Sequence, residues 1–199
     1  MAMKYLQMTM TESVRSAQQQ YYGRALTITD APDRDPLGEA ETGFIAERDS
    51  FYLGSVSEQG WPYVQHRGGP KGFVKVLDPM TLAFADYRGN RQLLSTGNVH
   101  VNDRVALFLM DYKNRARLKI LGHARVEDIR ENAAITERFA QGDMRNKVER
   151  VVTIEVVSYD WNCPKYITPR YSLDEVEEAM APLKSRIAEL EAKLGSVRA

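Results

Sequence analysis

The chain is poor in cysteine: Cys163 is the only one in 199 residues. No disulfide can form within it, which suits a reducing compartment. It also lacks net charge, since 27 Lys and Arg balance 27 Asp and Glu. No overall field draws it to nucleic acid or to an anionic membrane, so any anion site must be local. No apolar run approaches membrane-spanning length, and the opening MAMKYLQMTM has no apolar core of a signal peptide. A cytoplasmic protein is the expectation.

Several motifs are missing as well. His66, His100 and His123 have no His or Cys at ligand spacing, so no metal site is expected. Gly68-Gly69-Pro70-Lys71-Gly72 runs from strand to strand with no helix behind it, which excludes a dinucleotide-binding fingerprint. No P-loop occurs. Ser50, Ser55, Ser57 and Ser95 stand in no nucleophile-elbow context, so hydrolase chemistry has no support.

What the sequence does contain fits one domain with a helical appendage, its 43% hydrophobic content being enough to fill a core. Thr9 with Glu12 resembles a capping box for an N-terminal helix whose face carries Val14, Ala17 and Tyr21. Residues 29–40 are rich in Pro, Gly and Asp and read as an irregular connection to a short helix near Glu41–Glu47, with Phe44 and Ile45 buried. From Ser50 the pattern becomes strand. Phe51–Ser57 and Trp61–Gln65 flank the turn Glu58-Gln59-Gly60, a hairpin signal, and Pro62 suggests a sheet edge.

Further strands are expected at 72–76, 81–85, 104–110, 117–126 and 148–158, with helices at 90–101 and 128–139. Hairpin order, rather than repeated βαβ units, predicts a mainly β, antiparallel barrel with added helices. Beyond it, Ser172 and Glu175 form a second capping-box pattern. Leu173, Val176, Met180, Leu183, Ile187, Leu190 and Leu194 then advance by alternating threes and fours, a heptad seam interrupted by Pro182, where the helix should kink or restart with the proline in its first turn. A helix laid on its own domain and a coiled coil with a second subunit both satisfy that pattern. The expected divisions are an N-terminal arm at 1–40, a barrel at 41–170 and a helical extension at 171–199.

The stretch from Tyr63 to Arg91 concentrates cations, glycines and a predicted helix start. Arg67, Lys75, Arg88, Asn90 and Arg91 are donors suited to phosphate oxygens, and Gly68, Gly69 and Gly72 allow close backbone approach. Solvated surface cations and ordinary turn glycines would look the same. His66 adjoins this block as a candidate acid or base, although a histidine bonded to backbone fits equally. Trp161-Asn162-Cys163-Pro164-Lys165-Tyr166-Ile167 has the composition of a cover for an aromatic ring, or of a packed C-terminal crossing.

The blocks FIAERDSFYLGSV, PYVQHRGGPKGF, LAFADYRGNRQLLSTGNV, DYKNRARLKILGHARV and WNCPKYI, in that order over residues 41–170, resemble the pyridoxamine 5′-phosphate oxidase-related, flavin-nucleotide-binding family. The resemblance implies a split β-barrel holding FMN at a homodimer interface. It implies a phosphate site at Arg67, Lys75, Asn90 and Arg91, with Gln65 and Asp86 also cofactor-binding and Gly68 and Gly69 beside the ring. It places Arg117 and Lys119 near the isoalloxazine, and Trp161, Asn162, Pro164 and Lys165 on the approach from the other subunit. It implies hydride or electron transfer with NADH or NADPH as donor; a non-catalytic flavin-sensing dimer, or a deazaflavin or haem in the same barrel, are the alternatives. Gly89-Asn90-Arg91 replaces the oxidase's Ser-Arg-Lys run, and the tryptophan and arginine pattern for the vitamin B6 substrate is not recognisable. The likeness is therefore to the flavin-binding branch rather than to the oxidase.

Overall fold

The structure, a computed structural model, describes residues 2–131, 137–139, 146–161 and 164–197. Its strands are β1 (Ser50–Val56), β2 (Pro62–Gly68), β3 (Val74–Asp78), β4 (Thr81–Tyr87), β5 (Arg104–Asp111), β6 (Ala116–Asp128) and β7 (Val148–Trp161). All pairings are antiparallel, and the order across the sheet is β2-β1-β5-β6-β7-β4-β3. The mainly β architecture expected from hairpin order is the one observed, with β2, the strand that opens on Pro62, at an edge.

Side chains close the sheet where hydrogen bonds do not. Alternation buries one face of β6, where Leu118, Ile120 and Ala124 point inward, while the central part of β4 is buried on both faces. Phe51 of β1 meets Phe84 of β4 edge-on with centroids 5.0 Å apart, and stacks on Phe73 at 5.8 Å. Strands distant in pairing order thus share one core. The long β6–β7 pair is bent by a bulge at Leu121/Gly122. A Cβ on Gly122 would lie 2.5 Å from the Glu155 carbonyl oxygen, so the crossing requires glycine there.

Helices α1 (Met3–Thr9) and α2 (Glu12–Tyr22) precede α3 (Glu39–Ala46); α4 (Leu94–Val101) follows β4, and α5 (Leu173–Val197) ends the described chain. Buried Asp35 accepts hydrogen bonds from the backbone N–H groups of Lys4 and Tyr5 at 3.2 and 3.0 Å, tying the start of α1 to the barrel. The N-terminal cap of α2 is Thr11, which accepts from Val14 N–H. The expected cap, Thr9, instead ends α1 and donates to the Tyr5 carbonyl at 2.8 Å.

Other boundaries differ from expectation. The helix expected from Asn90 begins at Leu94, because Arg91 and Leu93 adopt left-handed backbone angles (φ 64° and 55°) that no helix continues through. The helix expected over Asp128–Phe139 does not begin at Asp128, which ends β6 and leads into a 3₁₀ turn at Ile129–Glu131; residues 137–139 are helical as expected, and the rest of that expectation lies outside the described residues. The last strand extends beyond Ser158 to Trp161 because its partner β6 is long enough to pair it. Pro182 neither stops nor restarts α5, which contains it. Among the described residues no helix is long and apolar enough to cross a membrane, and no group of three or more His, Cys, Asp or Glu is placed to hold a metal.

Candidate functional site

The two ends of the sheet meet at a charged clasp. Strand alternation turns Tyr63, Gln65 and Arg67 of β2 toward the seam and His66 away from it. Across the seam, Asp86 closes an otherwise apolar strand run and is 4% exposed. A buried carboxylate needs partners, and it has two. Arg67 Nη1 reaches its Oδ1 at 2.5 Å, and Arg150 Nε, directly opposite in the β4–β7 register, reaches its Oδ2 at 2.9 Å. Arg150 also contacts Glu149 at 3.2 Å, and Arg88 holds Glu149 at 3.0 Å. That hydrogen bond from Arg88 leads in keeping the Glu149 carboxyl below its usual range, so it stays ionised at neutral pH.

A cavity of about 220 Å³ opens over this clasp. Asn90 and Arg91 stand at its rim, Tyr87 on its wall, and Ser95 and Thr96 in the first turn of α4 on its far side. Burial raises the Tyr87 hydroxyl above its ordinary pKa, which keeps it a donor. Two buried polar atoms here have no hydrogen-bond partner among the described residues: Arg67 Nε and Ser95 Oγ, on a serine 5% exposed. The opening N–H groups of any helix are also unused within it. Among the residues lining the cavity, Arg67, Arg91 and Arg150 outnumber Asp86 and Glu149 by one positive charge, and Arg88, which pairs with Glu149 without lining the cavity, adds one more nearby. A phosphate monoester carries about −1.5 to −2 at neutral pH. Donors, unpaired buried atoms and charge therefore fit a phosphate group.

The structure sorts the expected site residues into separate places. Gln65, Arg67, Asp86, Asn90 and Arg91 are together in the cavity. His66, Tyr52, Phe108, Lys119 and Asp160 form one cross-strand row on the outer face of the sheet, with Arg117 two residues from Lys119. His66 packs edge-on against Tyr52. Burial opposes the charge on Lys119, but hydrogen bonds to Asp160 and Tyr5 outweigh it and raise its pKa. Lys75 is exposed on edge strand β3, outside the cavity.

Gly68 and Gly69 lie at the seam but not on the cavity wall. A Cβ on Gly69 would come within 2.7 Å of Phe73, so the chain's own packing accounts for that glycine. Trp161 donates to Glu41 Oε1 at 2.6 Å and meets Phe44 edge-on. Pro164 and Lys165 are exposed, and Asn162 and Cys163 lie outside the described residues.

Arg150, Glu149 and Ser95 escaped the sequence reading. Arg150 and Glu149 look like ordinary outward charges in a valine-rich strand, and Ser95 like a helix residue. The available signal was Asp86 itself: an acid ending the apolar run LAFAD implies a cation on the neighbouring strand.

The sequence pattern of the family described as pyridoxamine 5′-phosphate oxidase matches residues 37–159, more than half the chain. Curated protein sequences yield no match. Among solved structures, HupZ of Group A Streptococcus is similar in fold, with a TM-score of 0.51 and 14% identity over 68% of this chain and 100% of that one. A candidate pyridoxamine 5′-phosphate oxidase of Lactobacillus delbrueckii gives a TM-score of 0.50 and 21% identity over 63% of this chain and 93% of that one.

Proposed function

The chain belongs to the pyridoxamine 5′-phosphate oxidase family, and we propose that it binds FMN through the cavity at the barrel seam and serves as an FMN-dependent oxidoreductase with NADH or NADPH as donor. The observation that carries this reading is the clasp: three guanidiniums on two carboxylates, beneath a helix start, with Arg67 Nε and Ser95 Oγ buried and unpaired. Arg91 and Asn90, both lining the cavity, would hold the phosphate from its rim. Bound FMN would supply the hydride or electron-transfer chemistry at its ring, and the protein supplies binding, orientation and field.

The 220 Å³ cavity is smaller than the roughly 300–1,000 Å³ usual for small-molecule sites, so one chain offers a phosphate socket rather than a whole flavin site. The remainder belongs to a homodimer. Trp161, Pro164 and Lys165 would form the opposite wall from the other subunit, and Arg117 and Lys119 would set positive charge near a reduced ring. Lys119, whose pKa is raised, remains protonated at neutral pH for that task. His66, on the same face, is the candidate proton donor.

The test is anaerobic titration of purified protein with FMN, followed by addition of NADH or NADPH. Saturable binding at one FMN per subunit and bleaching of the flavin spectrum are expected. Failure to bind FMN overturns the proposal as a whole; binding without reduction by either nucleotide overturns the oxidoreductase half and leaves a flavin-binding dimer.

A further inference from the structure

Helix α5 leaves the body through a complete capping box: Ser172 N–H donates to Glu175 Oε2 at 2.9 Å, and Glu175 N–H to Ser172 Oγ at 3.2 Å. It then runs for 25 residues, about 37 Å. Among the described residues its ion pair to the rest of the chain is Lys113–Glu175 at 3.3 Å, at the very start. Farther on, Leu183, Ile187 and Leu194 are 63, 55 and 60% exposed. A long helix with an uncovered apolar seam is unfavourable in water, because its stability comes chiefly from packing that face.

The spacing says how the seam is meant to pack. Leu173, Met180, Ile187 and Leu194 occupy one core position of a heptad, and Val176, Leu183 and Leu190 the other. Branched Ile187 beside Leu190 matches the pattern that favours two strands. Pro182 falls on the outer side, as does Glu178, whose carbonyl loses its hydrogen-bond partner to the proline, so the interruption is kept off the seam.

The flanking charges choose the partner and its direction. In a parallel pair of identical helices, Arg186 falls opposite Glu191 of the partner subunit, and symmetry repeats the attraction. Full antiparallel overlap would set Glu177 against Glu191, Lys184 against Lys184 and Arg186 against Arg186, all like charges. Within one chain Arg186 reaches only Glu189, at 2.6 Å, while Glu191 has no ion-pair partner among the described residues. We propose that α5 pairs with α5 of a second copy as a parallel, in-register two-stranded coiled coil.

Disulfide trapping in the full chain tests this. In a Cys163→Ser background, Leu190→Cys should cross-link efficiently to itself under mild oxidation, whereas the outward Ser185→Cys should not. Arg186→Glu should lower the Leu190→Cys yield several-fold. Mixing Arg186→Glu chains with Glu191→Arg chains, both carrying Leu190→Cys, should restore it in the mixed pair. The proposal fails if Leu190→Cys does not cross-link, or if Ser185→Cys cross-links equally well. It fails too if chains carrying Met180→Cys preferentially join chains carrying Leu190→Cys, which marks an antiparallel pair.

Discussion

The clasp at the barrel seam and helix α5 treat their charges in opposite ways. At the seam, Asp86 is buried and gathers Arg67 and Arg150, so charge holds the fold together and leaves a positive surplus facing a cavity. Along α5, charges flank an exposed apolar seam and do nothing to cover it. One region pairs its buried charge within the chain; the other leaves an apolar seam open.

The sharpest way to break that contrast is Asp86→Ala. Removing the shared carboxylate leaves Arg67 and Arg150 facing each other in a half-buried site, and a loss of about 3–5 kcal/mol in unfolding free energy is expected from denaturant titration. Arg91→Ala should separate ligand binding from folding: FMN affinity measured by fluorescence should fall by about 1–3 kcal/mol, with an unchanged melting temperature, because Arg91 is exposed and its loss removes only a charge-assisted hydrogen bond.

Smaller effects sharpen the contrast further. Asp111 is opposed by burial, but Asn114 and Arg48 outweigh this and hold its pKa below the ordinary 3.8. A carboxyl with a depressed folded pKa contributes stability above its unfolded pKa and loses it as pH falls through the folded value. Asp111→Asn should therefore flatten the decline of melting temperature in acid, an effect of about 1 kcal/mol. Truncation after Arg170 should change the barrel's melting temperature least of all, since α5 covers none of the buried core. A large drop would mean that the helix belongs to the body.

Much of the sheet was legible because burial alternates along β1, β2 and β6, and because Pro62 and the Glu58-Gln59-Gly60 turn mark an edge and a hairpin. The start of α4 was not. Arg91 and Leu93 take left-handed angles for which their side chains give no sign, so the local pattern ran the helix back to Asn90. At the N-terminus the Thr9–Glu12 spacing pointed to Thr9 as the cap, whereas Thr11 caps α2 and Thr9 closes α1. Only the distant Asp35, which anchors the start of α1, separates their roles. Within the site, the β2 and β4 cations and acid were recognisable as a linear block, whereas Arg150 enters through the register of β4 with β7. His66 adjoins Arg67 in sequence, yet the pleat sends the two side chains to opposite faces.

The arrangement of the clasp bears on how the protein should respond to ionic strength. The Arg67–Asp86–Arg150 contacts are sheltered, with side chains 20, 4 and 18% exposed, and dissolved ions screen sheltered pairs weakly. Arg91 sits at the open rim and is screened strongly. Raising salt should thus strip away attraction for an incoming phosphate while the barrel that receives it keeps its shape, so that the socket becomes harder to fill without becoming easier to melt.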